Sequence, residues 1–339
     1  MMANVTENGV VFCVENGVLK TMRNRHKVKC VKIPHILSTG ETIDSIEQAF
    51  CQGNYHSIEI SDEIENIDRG AFEWSRVKRV RWSSGCKSIP SECFYCSTIE
   101  EIYNVNHVES IGDSAFAYSK IKRFAMPPLC TEIPEYCFRG SEITMILNTE
   151  RIERVGKYAL SGCDIMSFVW PSKCKIIPEA CFESCRLRRL FNTKDVETIK
   201  EDAFCSTRHL TKFTWPNNCE TMPANCFLAS GIKNVKNMES VSCVGSRAFA
   251  NSDIEEILWP EKCHQIPAHC FDSSALKKFD FTNITNIGES AFADTFPISK
   301  YDMSDSKVMN IDVCAFYGVD RENVIFSYYT PEQEVVDAF

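Results

Sequence analysis

Several things are missing from this 339-residue sequence, and each absence narrows what it can be. The opening stretch, MMANVTENGVVFCVENGVLK, has no basic segment leading into an apolar run, so no secretory leader is expected there. No stretch approaches about eighteen consecutive apolar residues, so no membrane-spanning helix is expected. Positive charge is in deficit: 37 Lys and Arg against 46 Asp and Glu leave a net charge of −9 at pH 7. A protein-wide attraction to nucleic acid or to an anionic membrane is therefore not expected. Glycine-rich phosphate loops, His-Glu-x-x-His helices and Gly-x-Ser-x-Gly elbows are absent. The paired acids Glu255 and Glu256 have no apolar shelter in the sequence to raise a pKa. No catalytic or cofactor-binding residue is assigned, no cofactor is expected, and the chain is read as a non-enzyme.

Cysteine is abundant. An odd count of 19 without a leader points to free thiols in a reducing compartment, hence a cytoplasmic protein. The alternative is a cell-surface location reached by an unconventional route.

One signal dominates the chain. An Ala-Phe or Cys-Phe pair (Ala-Leu once) recurs with its second residue at Phe50, Phe72, Phe94, Phe116, Phe138, Leu160, Phe182, Phe204, Phe227, Phe249, Phe271, Phe292 and Phe316. Successive spacings are 22 seven times, then 23, 22, 22, 21 and 24. Such a period predicts a repeat solenoid with one coil per period. In the coil CDIMSFVWPSKCKIIPEACF, Phe168 and Trp170 alternate with Ser167 and Val169, which predicts a short strand with one inward face. Pro178 then fits the first position of a single helical or 3₁₀ turn. Gly112, Gly156, Gly245 and Gly288 share its column, so they are not expected to mark positive φ. One coil buries too little to stand alone, and the period predicts a single long cooperative domain.

The segments LTKFTWPNNCETMPANCF (210–227) and IKNVKNMESVSCVGSRAF (232–249) resemble, nearly column for column, the BspA-like (Treponema-type) leucine-rich repeat. That repeat reads approximately L-x-x-L-x-I-P-x-x-V-x-x-I-G-x-x-A-F-x-x-C. The resemblance covers about residues 43–318. The departures are Leu160 for Phe, Lys200 for Gly, and cysteine for valine or alanine in alternate coils. It implies a right-handed solenoid with a concave parallel β-sheet, short 3₁₀/helical turns or loops on the convex side, and ligand binding rather than catalysis. The domain organisation expected is a capping hairpin and lead-in over 1–42, twelve to thirteen repeats over 43–318, and a cap or tail over 319–339. Asn16-Gly17 supplies the hairpin turn, residues 23–40 read as basic and irregular, and EQEVVDAF reads as a short helix or frayed tail.

Cysteines alternate by coil. Cys86, Cys130, Cys174, Cys219 and Cys263 share one column, with Val108, Ile152, Val196, Val241 and Ile284 between them; Cys93, Cys137, Cys181, Cys226 and Cys270 share another, alternating with alanines. Like cysteines two coils apart are separated by about 9.6 Å, beyond the Cα reach of about 7 Å for a disulfide. They are read as compact core residues rather than disulfides or zinc ligands. A third column alternates Trp82, Met126, Trp170, Trp215 and Trp259 with Asn104, Asn148, Asn192 and Asn237, which predicts a 44-residue two-coil unit with asparagines packed beside the large side chains. His264 and His269 in CHQIPAHC fall at solvent-side positions in a spacing that matches no zinc module, so no metal residue is assigned.

Recognition is then expected on the strand residues that point away from the core. The nine candidates are Arg79, Arg81, Tyr103, Arg123, Met145, Leu147, Val169, Arg189 and Phe191. They read as an apolar stripe with a basic margin, fit for a protein or peptide partner bearing acidic groups. Strand propensity alone is the competing account of the apolar entries. The function expected is a protein–protein interaction scaffold that binds on its concave face. The alternative is a surface or secreted adhesin or antigen of the BspA-like type.

Overall fold

The computed structural model describes residues 2–24, 28–50, 55–295, 301–328 and 330–339. The chain divides into two compact units, Met1–Ile165 and Met166–Phe339, where the unbroken period predicts one domain. Each unit is a stack of parallel coils. The first opens with an antiparallel sheet of β1 (Ala3–Glu7), β2 (Val10–Glu15) and β3 (Val18–Asn24). Asn8-Gly9 and Asn16-Gly17 supply the left-handed residues of both hairpin turns. β3 then pairs in parallel with Ser45–Ile46 and so joins the stack. β4 (Cys30–Ile33) pairs in parallel with Ser57–Ile60, so ordered stacking begins inside the 23–40 stretch that reads as irregular.

Phenylalanine rings line the interior. Centroids from Phe72 to Phe138 in the first unit lie 5.1–5.5 Å apart, and those from Phe182 to Phe316 in the second 5.3–5.8 Å. Rings at this separation are packed in contact with their neighbours one coil on. Leu160 is fully buried in the same column.

The parallel sheet is segmented rather than continuous. Arg123–Ala125 pairs with Met145–Leu147, Ser167–Val169 with Arg189–Phe191, and Lys212–Thr214 with Asn234–Lys236, each as two strands only. The asparagine column explains the breaks. Asn104, Asn148, Asn192 and Asn237 adopt φ of 62°, 59°, 62° and 65°, a conformation that asparagine tolerates better than most residues. They are not inward. Asn104, Asn148 and Asn192 are exposed, and the Nδ2 of Asn104, Asn192 and Asn237 donates to the carbonyl of Trp82, Trp170 and Trp215 at 2.7–2.8 Å. Each tryptophan N–H donates in turn to the residue before the asparagine, as Trp170 does to Phe191 O at 2.9 Å. Among the described residues no matching bond leaves Asn104 or Asn192 for the following coil. The indoles lie inside, where Nε1 of Trp170, Trp215 and Trp259 donates to the carbonyl of Cys174, Cys219 and Cys263.

Proline segments the second ladder in the same way. Gly112, Gly156, Gly245 and Gly288 each donate N–H to the previous coil's Ile or Met carbonyl at 2.8 Å, and Lys200 does so to Ile177 at 3.0 Å. Pro134, Pro178, Pro223 and Pro267 stand in that column in the alternate coils and have no N–H to give. Where the column holds Asp312 instead, its N–H reaches Ile287 O at 2.8 Å and the sheet continues to a third strand. The glycines also sit close against the proline coil. A Cβ at Gly288 would lie 2.7 Å from Ala268 N, and one at Gly156 would fall on Glu135 N.

No helical turn follows the prolines. Each turn there holds two left-handed residues four apart, as at Glu92 and Cys96 or Ala180 and Ser184. Alternate N–H groups then point to the next coil and back into the turn. Glu92, Phe94 and Cys96 donate to Asp113, Ala115 and Ala117 at 2.8–2.9 Å, while Tyr95 and Ser97 donate to Glu92 and Phe94. A helix would direct all of these groups along its own axis and leave the coils unlinked. At the C-terminal end the helix α1 (Glu332–Asp337) is followed by Ala338, whose carbonyl accepts from Phe316 N.

Both cysteine columns are buried, the second completely, and all described cysteines are free thiols. Burial pushes the thiols of Cys93, Cys137, Cys181, Cys226 and Cys270 well above the usual range, and those of Cys130 and Cys263 up to about 11. These groups stay neutral and unreactive at physiological pH.

Four outcomes are expected. Among the described cysteines, the exposed Cys30 and Cys243 should react first with a thiol reagent, and the buried columns only after denaturation. Cys181→Ala should cost about 1 kcal/mol, since Ala159 and Ala203 fill that column in other coils, whereas Cys181→Lys should cost several; denaturant titration measures both. Asn192→Gly keeps the left-handed backbone and should cost about 1 kcal/mol for the amide bond, while Asn192→Val should cost about 2–3. Finally, deletion of residues 183–227 keeps a tryptophan coil followed by an asparagine coil, whereas deletion of 183–204 brings two tryptophan coils together. The second protein should melt at a clearly lower temperature, and equal melting would refute the two-coil unit.

Candidate binding surface

Strand pairing fixes the register of the outward residues. In the first unit Arg79 lies opposite Glu101, Arg81 opposite Tyr103, Arg123 opposite Met145 and Ala125 opposite Leu147. Between them Val80 and Phe124 are buried and Ile102 and Ile146 half-buried. Tyr103, Met145 and Leu147 are 46%, 44% and 41% exposed, so two strands of the first unit present large apolar side chains to solvent. In the second unit Arg189 lies opposite Ser167 and Val169 opposite Phe191, with Phe168 buried between. Val169 and Phe191 are 57% and 48% exposed. The nine candidates therefore fall into two sets, Arg79, Arg81, Tyr103, Arg123, Met145 and Leu147 on one unit and Val169, Arg189 and Phe191 on the other.

The basic margin is not uniform. Arg79 Nε lies 3.2 Å from Glu101. Arg81 grips both carboxylate oxygens of Asp62 at 3.0 Å and donates to Ile60 O at 3.3 Å. Hydrogen bonds from Arg81 and Ser84 hold the Asp62 carboxyl well below the usual carboxylate range. Arg81 therefore acts as a brace between coils, with its charge already answered. Arg123 reaches Met145 Sδ at 3.7 Å and, like Arg189, has no carboxylate partner among the described residues.

Further along the second unit, Lys212 lies opposite Asn234 and Thr214 opposite Lys236. Leu258 is 88% exposed. Lys300, which belongs to the same outward column, lies outside the described residues.

A second row of exposed aromatics lies on the turn side of the first unit. Trp74 and Tyr118 occupy left-handed positions filled elsewhere by Gly140, Gly162 or Ser184. Their rings meet Tyr95 edge-on at 6.1 and 5.7 Å. Tyr136 and Tyr158 stack at 5.1 Å with the Arg139 guanidinium over both. An outward-strand reading cannot find this row. Its sequence signal is an aromatic one or two residues after Phe72, Phe94 and Phe116.

The two histidines of CHQIPAHC have structural partners. His264 Nδ1 lies 3.0 Å from Asn283 O, and His269 Nδ1 lies 3.1 Å from Asp272. His269, like Ala180 in its column, sits at a left-handed turn position rather than a plain solvent-side one. Among the described residues no group of three or more His, Cys, Asp or Glu is arranged to hold a metal ion. Hydrogen bonds from Lys277 and Lys233 hold the Glu255 carboxyl down, to about 2, the opposite of what an acid catalyst needs. No described helix is long and apolar enough to cross a membrane.

No relative is found among curated proteins. Two solved structures show the same fold. One is a leucine rich cell surface protein of Faecalibacterium prausnitzii, 18% identical, covering 95% of this chain and 96% of its own, at a TM-score of 0.55. The other is a leucine-rich repeat protein of Bacteroides ovatus, 16% identical, covering 97% and 88%, at 0.58. The profile of the BspA type leucine rich repeat region matches residues 28–144, 131–251 and 197–323, and on that coverage the chain belongs to the BspA-type leucine-rich repeat family.

Proposed function

We propose that the chain is a non-catalytic interaction scaffold whose strand face binds a protein or peptide partner. The observation that carries this reading is the register of Tyr103, Met145 and Leu147. Three large apolar side chains stand outward on two strands of the first unit, each more than two-fifths exposed. The interior needs none of them, because Ile102 and Ile146 fill the inward positions of the same strands. Apolar and aromatic side chains flanked by arginine are the composition of binding hot spots, and an unpaired Arg123 or Arg189 favours a partner with acidic groups. A cytoplasmic site fits the free thiols. A cell-surface antigen or adhesin is the second reading, favoured by the likeness to the F. prausnitzii cell surface protein. Buried thiols two coils apart would also survive there without pairing, and labelling intact cells with a membrane-impermeant biotin reagent separates the two locations.

Leu147→Asp and Phe191→Asp test the surface one unit at a time. Both should leave the melting temperature within about 2 °C of the parent, as exposed substitutions do, and should abolish or sharply reduce co-purification of partners from the native cell. Lys175→Asp, off the strand face, should leave capture intact. Unfolding by either variant would mean that the side chain is needed inside. Survival of both folding and capture would leave the apolar residues as products of strand propensity.

A further inference from the structure

Most ion pairs on this protein join neighbouring coils. Lys78 pairs with Glu100, Lys157 with Glu135, and Lys233 and Lys277 both with Glu255. On the strand face of the first unit Lys32 and Arg79 likewise meet Glu59 and Glu101, their cross-strand neighbours. The strand face of the second unit breaks this rule. The residues opposite Arg189, Lys212 and Lys236 are Ser167, Asn234 and Thr214. All three cations are exposed, as is Arg188 beside them, and none of the four has an ion-pair partner among the described residues. Arg189 and Lys212 also follow one another in the same outward column, and like charges in adjacent strands are unfavourable. The strip ends where Lys278 comes opposite Glu256. In a chain of net charge −9, a run of cations set opposite hydroxyls and an amide is not a by-product of composition.

We infer that Arg188, Arg189, Lys212 and Lys236 form a docking strip for an acidic polypeptide segment. This rests on the strand face being the binding surface, and adds its chemistry. The partner's carboxylates supply the counter-charges that the chain omits, and Ser167, Thr214 and Asn234 stand beside the cations as further hydrogen-bond donors. Phe191 and Val169, exposed at the same end, favour a polypeptide carrying an apolar side chain over a uniformly charged polysaccharide.

The test uses the full chain and a fluorescein-labelled glutamate-rich peptide containing leucine, followed by fluorescence anisotropy. The triple variant Arg189→Gln, Lys212→Gln, Lys236→Gln should bind it about tenfold more weakly, with unchanged circular dichroism and melting. The control triple Lys194→Gln, Lys200→Gln, Lys262→Gln removes the same charge elsewhere and should bind like the parent. Raising the salt concentration should narrow the difference between the two triples. An equal loss in both triples would reduce the strip to bulk electrostatics and overturn the inference. So would absence of peptide binding, or tighter binding of a heparin fragment through the same residues, which would assign the strip to a sulfated polysaccharide. Because the probe is a defined peptide and Leu147 lies on the other unit, these outcomes are independent of whether the apolar residues capture a cellular partner.

Discussion

Everything in this fold depends on one constraint: a coil of about 22 residues cannot satisfy its own backbone. It contains no helix and no hairpin, so its N–H and C=O groups must find partners in the coils before and after, and buried groups left without them cost about 1–3 kcal/mol each. The three inter-coil ladders answer that need at different points of the coil. The longer strand carries parallel bonds. The two-residue strand donates from the glycine column. The turn side, with its paired left-handed residues, sends every second N–H forward, as Glu92, Phe94 and Cys96 do to Asp113, Ala115 and Ala117.

The two-coil unit follows from how the ladders are interrupted. A proline in one coil cannot donate, so the bond of the second ladder forms where the adjacent coil carries a residue with an N–H there, as at Gly112, Gly156, Lys200, Gly245 and Gly288. A left-handed asparagine likewise ends the first ladder after the coils of Trp82, Trp170 and Trp215 and returns its amide to the tryptophan carbonyl. Tryptophan with asparagine, proline with glycine and cysteine with alanine are therefore matched in the same pairs of coils. The third match is one of volume, because the cysteine and alanine columns are both fully buried and meet within the same stack. Asp312 shows that the matching has a physical cause, since the ladder resumes where the proline is lost.

These relations set what could be seen in the sequence. The cysteine columns were legible because a 22-residue period places each residue opposite its counterpart, and parallel-strand spacing then forbids pairing two coils apart. The outward columns were legible for the same reason, as alternation about Phe168 or Val80 fixes which side chains leave the core. The turn side was not. Its left-handed positions hold Glu92, Tyr136, Ala180 and His269, with no consistent glycine to announce positive φ, and Pro178 by itself fits a helix start as well as a chain of turns. The asparagines misled because their alternation with tryptophan looks like packing of volumes, whereas their role lies in φ and one amide bond. The contrast between Arg79 opposite Glu101 and Arg189 opposite Ser167 follows from the same 22-residue spacing, whereas the contact of Arg79 with Glu101 at 3.2 Å needed the side-chain geometry.

The interior and the strand face obey different rules, and this separates folding from recognition. Tryptophan, cysteine, proline and their complements repeat every 44 residues because each must match its neighbour. The outward column Arg79, Glu101, Arg123 and Met145 in the first unit, and Ser167, Arg189, Lys212 and Asn234 in the second, shows no such alternation. Packing does not dictate these positions. Where charges meet across the strands of the first unit they neutralise one another, which stabilises the stack at little cost to solubility. Where they face hydroxyls and amides in the second unit, the stack gains nothing from them and must tolerate their mutual repulsion. Residues that the core does not require, and that the surface would be more stable without, are what a scaffold of nearly invariant coils can vary to choose a partner.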